Sequence, residues 1–117
     1  MGVNKKYKRK IIIEERAYYW YVKEDDELYG YPFLNIISID RKFVVSYLLD
    51  SCLIIIKGKD FNGIEHTGHQ WKWIEVPFDR QKNITPAFVE KVVKWCLSPK
   101  NNIKYLDYKY LDSYRST

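Results

Sequence analysis

Three short runs rich in β-branched and aromatic residues dominate the first half of the chain. FLNIISI (33–39) and FVVSYLL (43–49) flank the segment DRK (40–42), and LIIIKGKDF (53–61) follows the turn LDSC (49–52). Runs of this length and composition are typical of strands. Because connections this short join neighbouring antiparallel strands, the sequence predicts a mainly antiparallel sheet.

The segment RKIIIEERAYYWYVK (9–23) predicts another strand, but simple alternation fails along it. Ile11 and Ile13 share a face with Ala17, Tyr19 and Tyr21 if the strand is continuous. Glu15 then falls among these apolar side chains, so we predict a bulge or break near residues 14–16. The segment EDDELYGYP (24–32), with its acids, glycine and proline, predicts a loop.

Asn62-Gly63 is the strongest hairpin signal in the chain and predicts pairing of residues 53–61 with a strand over 64–76. With a two-residue turn, Ile56 faces His69, Ile54 faces Trp71, and Cys52 faces Trp73. Alternation then places His69 on an apolar face and His66 on a polar one. One zinc ion requires three or four ligands, so the sequence predicts no metal and no cofactor. A small metal-dependent enzyme at these two histidines is kept as an alternative.

The segment ITPAFVEKVVKWCLSP (84–99) predicts a helix over residues 86–97. Thr85 suits the N-cap and Pro86 the first helical position. An apolar stripe is predicted from Phe88, Val92, Trp95 and Cys96. The tail over 101–117 suits either a helix or a strand, and the helix is the prediction. Cys52 and Cys96 are both predicted to be buried filler.

These elements predict an α+β fold. One mainly antiparallel sheet of about five strands covers residues 9–76, a helix covers 86–97, and a short ambiguous tail element completes the domain. No apolar run approaches the ~20 residues of a membrane helix. The basic N-terminus lacks the apolar stretch of a signal peptide. We therefore expect a cytoplasmic protein without membrane contact.

The net positive charge of +5 is concentrated at the N-terminus. Residues 1–10 hold five bases and no acid, so the remaining chain is neutral. We predict a basic flexible arm over 1–8 and a single domain over 9–117. An arm of this kind contacts phosphates, and the rings within 18–21 stack on bases. The residues of this nucleic-acid alternative are Lys5, Lys6, Lys8, Arg9, Lys10, Tyr18 and Trp20.

The acidic loop carries the leading binding hypothesis. Acidic side chains there supply charge and association rate, while nearby rings anchor a partner. The predicted binding residues are Glu24, Asp25, Asp26, Glu27, Tyr29 and Tyr31. A neutral domain with this loop favours a protein partner, or a second copy of the chain, over nucleic acid.

The helical segment ITPAFVEKVVKWCL (84–97) resembles the C-terminal helix of small uncharacterised bacterial proteins of the immunity type, which are found near bacterial toxins. The likeness covers about one-eighth of the chain and carries no catalytic residue. It implies a binding role. The sequence shows no nucleophile motif and no glycine-rich phosphate loop. The expected function is therefore a small non-enzymatic protein-interaction module, inhibitor or immunity-like.

Overall fold

Six strands and one helix form the fold of the described residues, in a computed structural model that covers 8–25, 30–63, 71–100 and 103–106. The elements are β1 (Arg9–Ile13), β2 (Arg16–Asp25), β3 (Tyr31–Ser38), β4 (Val44–Leu48), β5 (Leu53–Ile56), β6 (Lys72–Glu75) and α1 (Pro86–Leu97). The strands form one antiparallel sheet in the order in which they occur along the chain. The predicted α+β class and the predicted helix are confirmed.

β1 and β2 form a hairpin where the sequence predicted a bulge or break. Ile13 pairs with Arg16, and Glu14 and Glu15 between them have φ angles of 50° and 68°. Two positive φ angles produce the type I′ geometry of a tight hairpin. The sequence did not reveal this reversal because such turns normally carry Asn or Gly. Other L-residues lose about 1–2 kcal/mol each in this conformation. The hairpin adds a sixth strand to the sheet.

The same turn decides which rings of β2 face the core. Its register places Tyr18 opposite Ile11 and Trp20 opposite Arg9. The prediction that Tyr19 and its alternate neighbours share the face of Ile11 was therefore wrong. It was wrong because Ile13 and Arg16 flank the two-residue turn and lie on the same face, so the alternation changes parity between β1 and β2.

α1 packs across one side of the sheet, termed the helix face. Thr85 begins the helix by accepting a hydrogen bond from the Phe88 N–H over 3.2 Å, and Pro86 occupies the first turn. The buried stripe of the helix consists of Phe88, Val89, Val92, Val93 and Cys96. The buried side chains of the sheet in this core include Tyr18, Trp20, Leu34, Ile36, Val45, Tyr47, Ile54, Ile56 and Ile74. A helix of 12 residues is marginal alone in water, so this packing stabilises it.

The register of β5 and β6 differs by three residues from the prediction. Ile54 lies opposite Ile74 rather than Trp71, and Ile55 lies opposite Trp73. An odd shift moves every side chain of a strand to the other face. Ile74 therefore belongs to the main core, whereas Trp73 lies on the face without the helix.

The path of the chain after β5 explains this shift. Lys57 and Gly58 both donate their N–H groups to the carbonyl oxygen of Val44, over 2.9 Å and 3.0 Å. Asp60 donates its N–H to the carbonyl oxygen of Lys42 over 2.9 Å. This segment is thus bonded to the chain that enters β4, so the Asn-Gly turn does not set the register of β5 and β6.

Residues 103–106 lie along the outer side of β6. Tyr105 forms an isolated antiparallel bridge with Ile74, and the Leu106 N–H donates to the Trp73 carbonyl oxygen over 2.8 Å. The predicted helix is wrong for this stretch, because its backbone bonds to the sheet. The rest of the tail lies outside the described residues.

The face opposite the helix holds a smaller core near β4, β5 and β6, termed the second cluster. Its buried members are Phe33, Leu48, Leu53 and Ile55, and Tyr31, Trp73 and Leu106 pack against them. Ser46 Oγ donates to Asn35 Oδ1 over 2.6 Å beside this cluster. Leu106 therefore covers one part of this face.

Candidate functional site

The other part of the helix-free face, on β1 to β4, presents apolar and aromatic side chains, termed the open patch. The pairs Ile12–Ala17, Tyr19–Ile37 and Ile37–Val44 place these residues side by side. The open patch consists of Ile12, Ala17, Tyr19, Tyr21, Ile37 and Val44. None of these side chains is fully buried, and Ile12 is 65% exposed. The second cluster on the same face is buried, so the open patch is the less covered part of this face among the residues that the structure describes.

Lysine side chains border the open patch. Lys8 Nζ lies 5.7 Å from the centroid of the Tyr21 ring, which is within the range of a cation–π contact. Lys10 is opposite Tyr19 in the register, and Lys23 belongs to the same face of β2. Partial burial raises the pKa of the Tyr21 hydroxyl. The patch therefore combines aromatic area with positive charge.

The acidic loop predicted from the sequence is only partly within the described residues. Glu24 is exposed at the end of β2, where its backbone pairs with Pro32. Asp25 pairs with Tyr31 through the backbone, and the Tyr31 side chain packs against the second cluster. Asp26, Glu27 and Tyr29 lie outside the described residues. Tyr31 thus contributes to a core, which differs from the expected role of an exposed anchor.

The rings chosen for the nucleic-acid alternative are not at the surface. Tyr18 is 1% exposed and Trp20 is 6% exposed, because both lie on the helix face. The partly exposed rings of this strand are instead those at positions 19 and 21. Both rings can be identified from the sequence if the alternation of side chains along β2 is counted from the β1–β2 turn. Tyr18 and Trp20 are therefore too buried to stack on bases. Tyr19 and Tyr21 are the rings of this strand that a base could contact.

The basic arm is divided between the two sides of the sheet. The Arg9 guanidinium lies on the helix face, 5.5 Å from the centroid of the Trp20 ring. Lys8 and Lys10 lie on the side of the open patch. Lys5 and Lys6 lie outside the described residues, as does most of the predicted arm.

His66 and His69, the two residues of the alternative metal site, lie outside the described residues. Among the residues that the structure describes, no group of three or more His, Cys, Asp or Glu side chains is arranged to hold a metal ion. Cys96 is buried as predicted, and burial raises the pKa of its thiol. Cys52 is partly buried. No helix within the described ranges is long and apolar enough to span a membrane.

A polar cluster at one end of the sheet joins the β1–β2 turn, the β3–β4 turn and the segment after β5. Arg16 Nη2 donates to Asp60 Oδ2 over 2.8 Å, to Asp40 Oδ1 over 3.1 Å and to Ser38 Oγ over 3.3 Å. The Arg16 guanidinium lies 5.4 Å from the centroid of the Tyr18 ring. Burial raises the pKa of the Tyr18 hydroxyl. Sequence analysis missed this cluster because its members are far apart in the chain.

The carboxylate of Asp40 accepts several hydrogen bonds. Ser38 Oγ donates to it over 2.6 Å, and the Lys42 N–H donates over 3.0 Å. These donors and the Arg16 guanidinium hold the pKa of the Asp40 carboxyl well below its usual range. The carboxylate is therefore ionised, and its hydrogen bonds hold the neighbouring loops together. This arrangement indicates a structural role.

A second partly buried cation stabilises the end of α1. Lys100 Nζ donates to the carbonyl oxygens of Cys96, Ser98 and Asn62, over 2.9, 2.5 and 3.2 Å. The ammonium also lies 4.4 Å from the centroid of the Phe61 ring. Burial lowers the pKa of Lys100. This arrangement satisfies carbonyl groups that a helix end leaves without partners, so it is a C-terminal cap.

Comparisons with known proteins add no family or relative. No protein-family model, no curated protein and no solved structure matches this chain.

Proposed function

We propose that this protein is a small non-enzymatic binding module that recognises a protein partner through the open patch. The observation that carries the proposal is the row of tyrosine and isoleucine side chains, none of them fully buried, beside a buried second cluster on the same face. Tyrosine is enriched in protein interfaces because its ring provides large area with few rotatable bonds. A partner that covers this patch extends an existing apolar surface.

The charge around the patch indicates the chemistry of the partner. Lys8, Lys10 and Lys23 surround the rings on this face. Opposite potentials across an interface accelerate association and disfavour wrong partners. We therefore propose a partner with acidic groups around an apolar centre. An inhibitor or immunity-like role, implied by the resemblance over 84–97, is one form of this proposal.

The acidic loop supplies a second electrostatic determinant in this proposal, which requires basic groups on the partner opposite residues 24–27, separate from the acidic groups around its apolar centre. Glu24 is exposed, and the sequence continues with three more acids. Charge reversal at Asp25 and Asp26 is expected to reduce the association rate more than it increases the dissociation rate. Stopped-flow measurement of both rates, at low and high salt, checks this expectation. An unchanged association rate would remove the acidic loop from the proposed interface.

The first experiment is a pull-down from native lysate with the tagged full chain, with and without nuclease, read by mass spectrometry. A stoichiometric protein that persists after nuclease treatment is then purified and titrated by calorimetry. Tyr19→Ala and Tyr21→Ala are each expected to weaken its binding by roughly 10- to 30-fold, as expected for interface anchors. Both side chains are only partly exposed, so circular dichroism checks that each variant remains folded.

The matched control is Tyr105→Ala, which removes a ring that is 56% exposed and lies outside the open patch. Its binding is expected to equal that of the wild-type protein. If the control loses affinity as much as Tyr19→Ala does, the partner does not use the open patch. If all three variants bind like the wild type, the proposal is wrong.

Nucleic-acid binding is the second candidate, and the Lys8–Tyr21 contact favours it specifically. An ammonium next to a partly exposed ring is the combination that contacts a phosphate while a base stacks. Fluorescence anisotropy with a single-stranded oligonucleotide tests this candidate across a salt series. Affinity is expected to fall steeply with salt and to weaken in Tyr19→Ala and Tyr21→Ala. Retained binding in Tyr18→Phe is expected, because that ring is buried.

A further inference from the structure

The two edges of the sheet differ in their main-chain bonding. β6 has residues 103–106 along its outer side, with the Glu75 N–H donating to the Lys104 carbonyl oxygen over 3.0 Å. β1 is the opposite edge. Within the described part of the chain, no backbone–backbone hydrogen bond reaches its outer side. An edge of this kind presents a row of main-chain donors and acceptors to another strand.

The outward groups of β1 belong to alternate residues. In a two-residue hairpin, Ile13 and Arg16 form the hydrogen-bonded pair next to the turn. Alternation of the ladder then directs the N–H and C=O groups of Lys10 and Ile12 away from β2. An added strand therefore bonds to these two residues, one of which carries a side chain that is 65% exposed.

Positive and negative side chains lie at opposite ends of this edge strand. KRKIIIEE (8–15) has three bases at one end, three isoleucines in the middle and two acids at the other end. Antiparallel pairing reverses the direction of the second strand. The basic end of one copy then meets the acidic end of another, with isoleucine against isoleucine between them. The segment is therefore complementary to itself.

We propose that β1 pairs with β1 of a second copy of this chain, in an antiparallel dimer with a two-fold axis at Ile11. In this register Ile11 lies opposite Ile11 of the second copy, and Lys10 lies opposite Ile12. Lys8 lies opposite Glu14. Both outward residues of each strand gain a hydrogen-bonded partner, which gives four main-chain bonds across the interface.

Neighbouring registers fit less well. A shift of two residues in one direction places Lys10 opposite Lys10 of the second copy, and like charges directly opposite destabilise a sheet. A shift in the other direction pairs Ile12 with itself and Lys10 with Glu14. Glu14 has a φ of 50° and has left the strand conformation, so that pair loses its main-chain bonds.

The strained turn supports this assignment. Glu14 and Glu15 occupy positions where Asn and Gly are favoured, and neither lies in a relaxed backbone region. The turn gives up stability and places two negative charges at the end of the edge strand. In the proposed dimer, these charges face the lysines of the second copy.

The inference is independent of the proposed function, because the open patch faces away from the plane of the sheet while the edge lies within it. A two-fold axis perpendicular to the sheet keeps both helices on one side. The open patches of the two copies then lie side by side on the other. A failure of self-association would leave the patch argument unchanged.

The test is a charge exchange followed by sedimentation velocity on the full chain, in the absence of other proteins. The wild type is expected to dimerise with a Kd on the order of 10–100 μM, as expected for a small interface. Lys8→Glu and Glu14→Lys each place like charges opposite one another at both ends of the homodimer. Each variant alone is expected to dimerise about tenfold more weakly.

The equimolar mixture of these two variants is the decisive arm. A heterodimer places Glu at position 8 opposite Lys at position 14, and its other end keeps the original pair. Association of the mixture is therefore expected to return to the wild-type level. A wild type that stays monomeric up to about 1 mM overturns the proposal, since that excludes even a weak specific interface. Single variants that dimerise like the wild type, or a mixture that does not recover, also overturn it.

Cysteine cross-linking checks the register separately. The two copies of residue 11 form a non-hydrogen-bonded pair with Cα atoms about 4.5 Å apart, which a disulfide can span. Ile11→Cys is expected to give a disulfide dimer under mild oxidation. Tyr105→Cys, on the other sheet edge, and the wild type with its two native thiols are expected to give none. A dimer in either control at the same rate contradicts the assigned edge.

Discussion

Arg16 and Asp60 are 44 residues apart in the sequence, yet Arg16 Nη2 donates to Asp60 Oδ2 over 2.8 Å. The same nitrogen reaches Asp40 on the β3–β4 turn. One guanidinium therefore connects a turn between two strands at the sheet edge with two connections further along the sheet. This contact fixes the end of β2 relative to β3 and β5.

Removal of this guanidinium is expected to destabilise the fold. Arg16→Ala leaves Asp40 and Asp60 close together without their shared donor, and we expect the free energy of unfolding to fall by about 1–2 kcal/mol. Urea unfolding followed by circular dichroism measures the change. Lys59→Ala removes an equal charge from an exposed neighbouring position and is expected to have little effect. Equal losses in both variants would mean that the hydrogen bonds of Arg16 add nothing to stability beyond the effect of its positive charge.

Asp40 is expected to make stability depend on acid. Its pKa is lowered in the folded state, and in the unfolded chain it returns to the ordinary value of about 4. Between these values the unfolded state binds more protons, so stability rises with pH there. The contribution of Asp40 is fully present above about pH 4 and is lost as the pH falls through the folded pKa.

The measurement is the urea midpoint of the wild type and of Asp40→Asn over a pH series. The gap between the two proteins is expected to be widest near neutral pH and to narrow as the pH falls below about 4. Other carboxylates affect both proteins alike, so the gap isolates this group. A gap that stays constant across the series contradicts the assignment.

Gly58 is expected to be intolerant of any side chain. A Cβ atom there would collide with the Lys42 carbonyl oxygen and lie 2.6 Å from the Val44 backbone nitrogen. Since these obstacles are backbone atoms, Gly58→Ala is expected to reduce the free energy of unfolding by about 2–4 kcal/mol. Gly30→Ala is the comparison, because Gly30 has a φ of 74° but no atom within 4 Å of an added Cβ. Its expected loss, by urea unfolding, is about 1–2 kcal/mol from backbone strain alone.

The β1–β2 turn is expected to separate stability from self-association. Replacing Glu14 with Asn and Glu15 with Gly relieves two positive φ angles and is expected to raise the free energy of unfolding by about 1–2 kcal/mol. The same variant loses both acids, so its dimerisation is expected to weaken. A double change to Gln removes the charge but keeps the strain. It is expected to weaken dimerisation with little change in stability, as measured by sedimentation and urea unfolding.

Local sequence signals were sufficient for the elements whose ends carry their own chemistry. Thr85 and Pro86 predicted the start of α1, and the structure shows the Thr85 cap on the Phe88 N–H. The β3–β4 hairpin around residues 40–42 is also confirmed. In each case the residues next to the boundary determine the boundary, so no distant contact was needed.

The β1–β2 turn and the β5–β6 register depend on strand pairing and on long-range hydrogen bonds, which local sequence patterns do not describe. Glu14-Glu15 forms a tight turn against its intrinsic preference, because the flanking strands pair over five residues on each side. The β5–β6 register follows from the bonds of Gly58 and its neighbour to Val44, on a different strand. A strong Asn-Gly signal predicted another register because it says nothing about where the preceding residues bond.

The candidate surface followed from these same corrections. Once the turn is placed, alternation assigns Tyr19 and Tyr21 to the open patch and their neighbours to the core. The sequence predicted basic groups next to rings on this strand. The particular rings were wrong by one position. The cluster around Arg16 needed long-range contacts and had no sequence signature.

The backbone bridge between Tyr105 and Ile74 has a consequence for the size of any assembly. Strands that pair at both edges of a sheet lead to open-ended fibres, whereas growth stops when one edge is occupied. In the described part of this chain, β1 is available and β6 is occupied by residues 103–106. Edge-to-edge assembly therefore terminates at two copies, and this short segment acts as a built-in block against polymerisation.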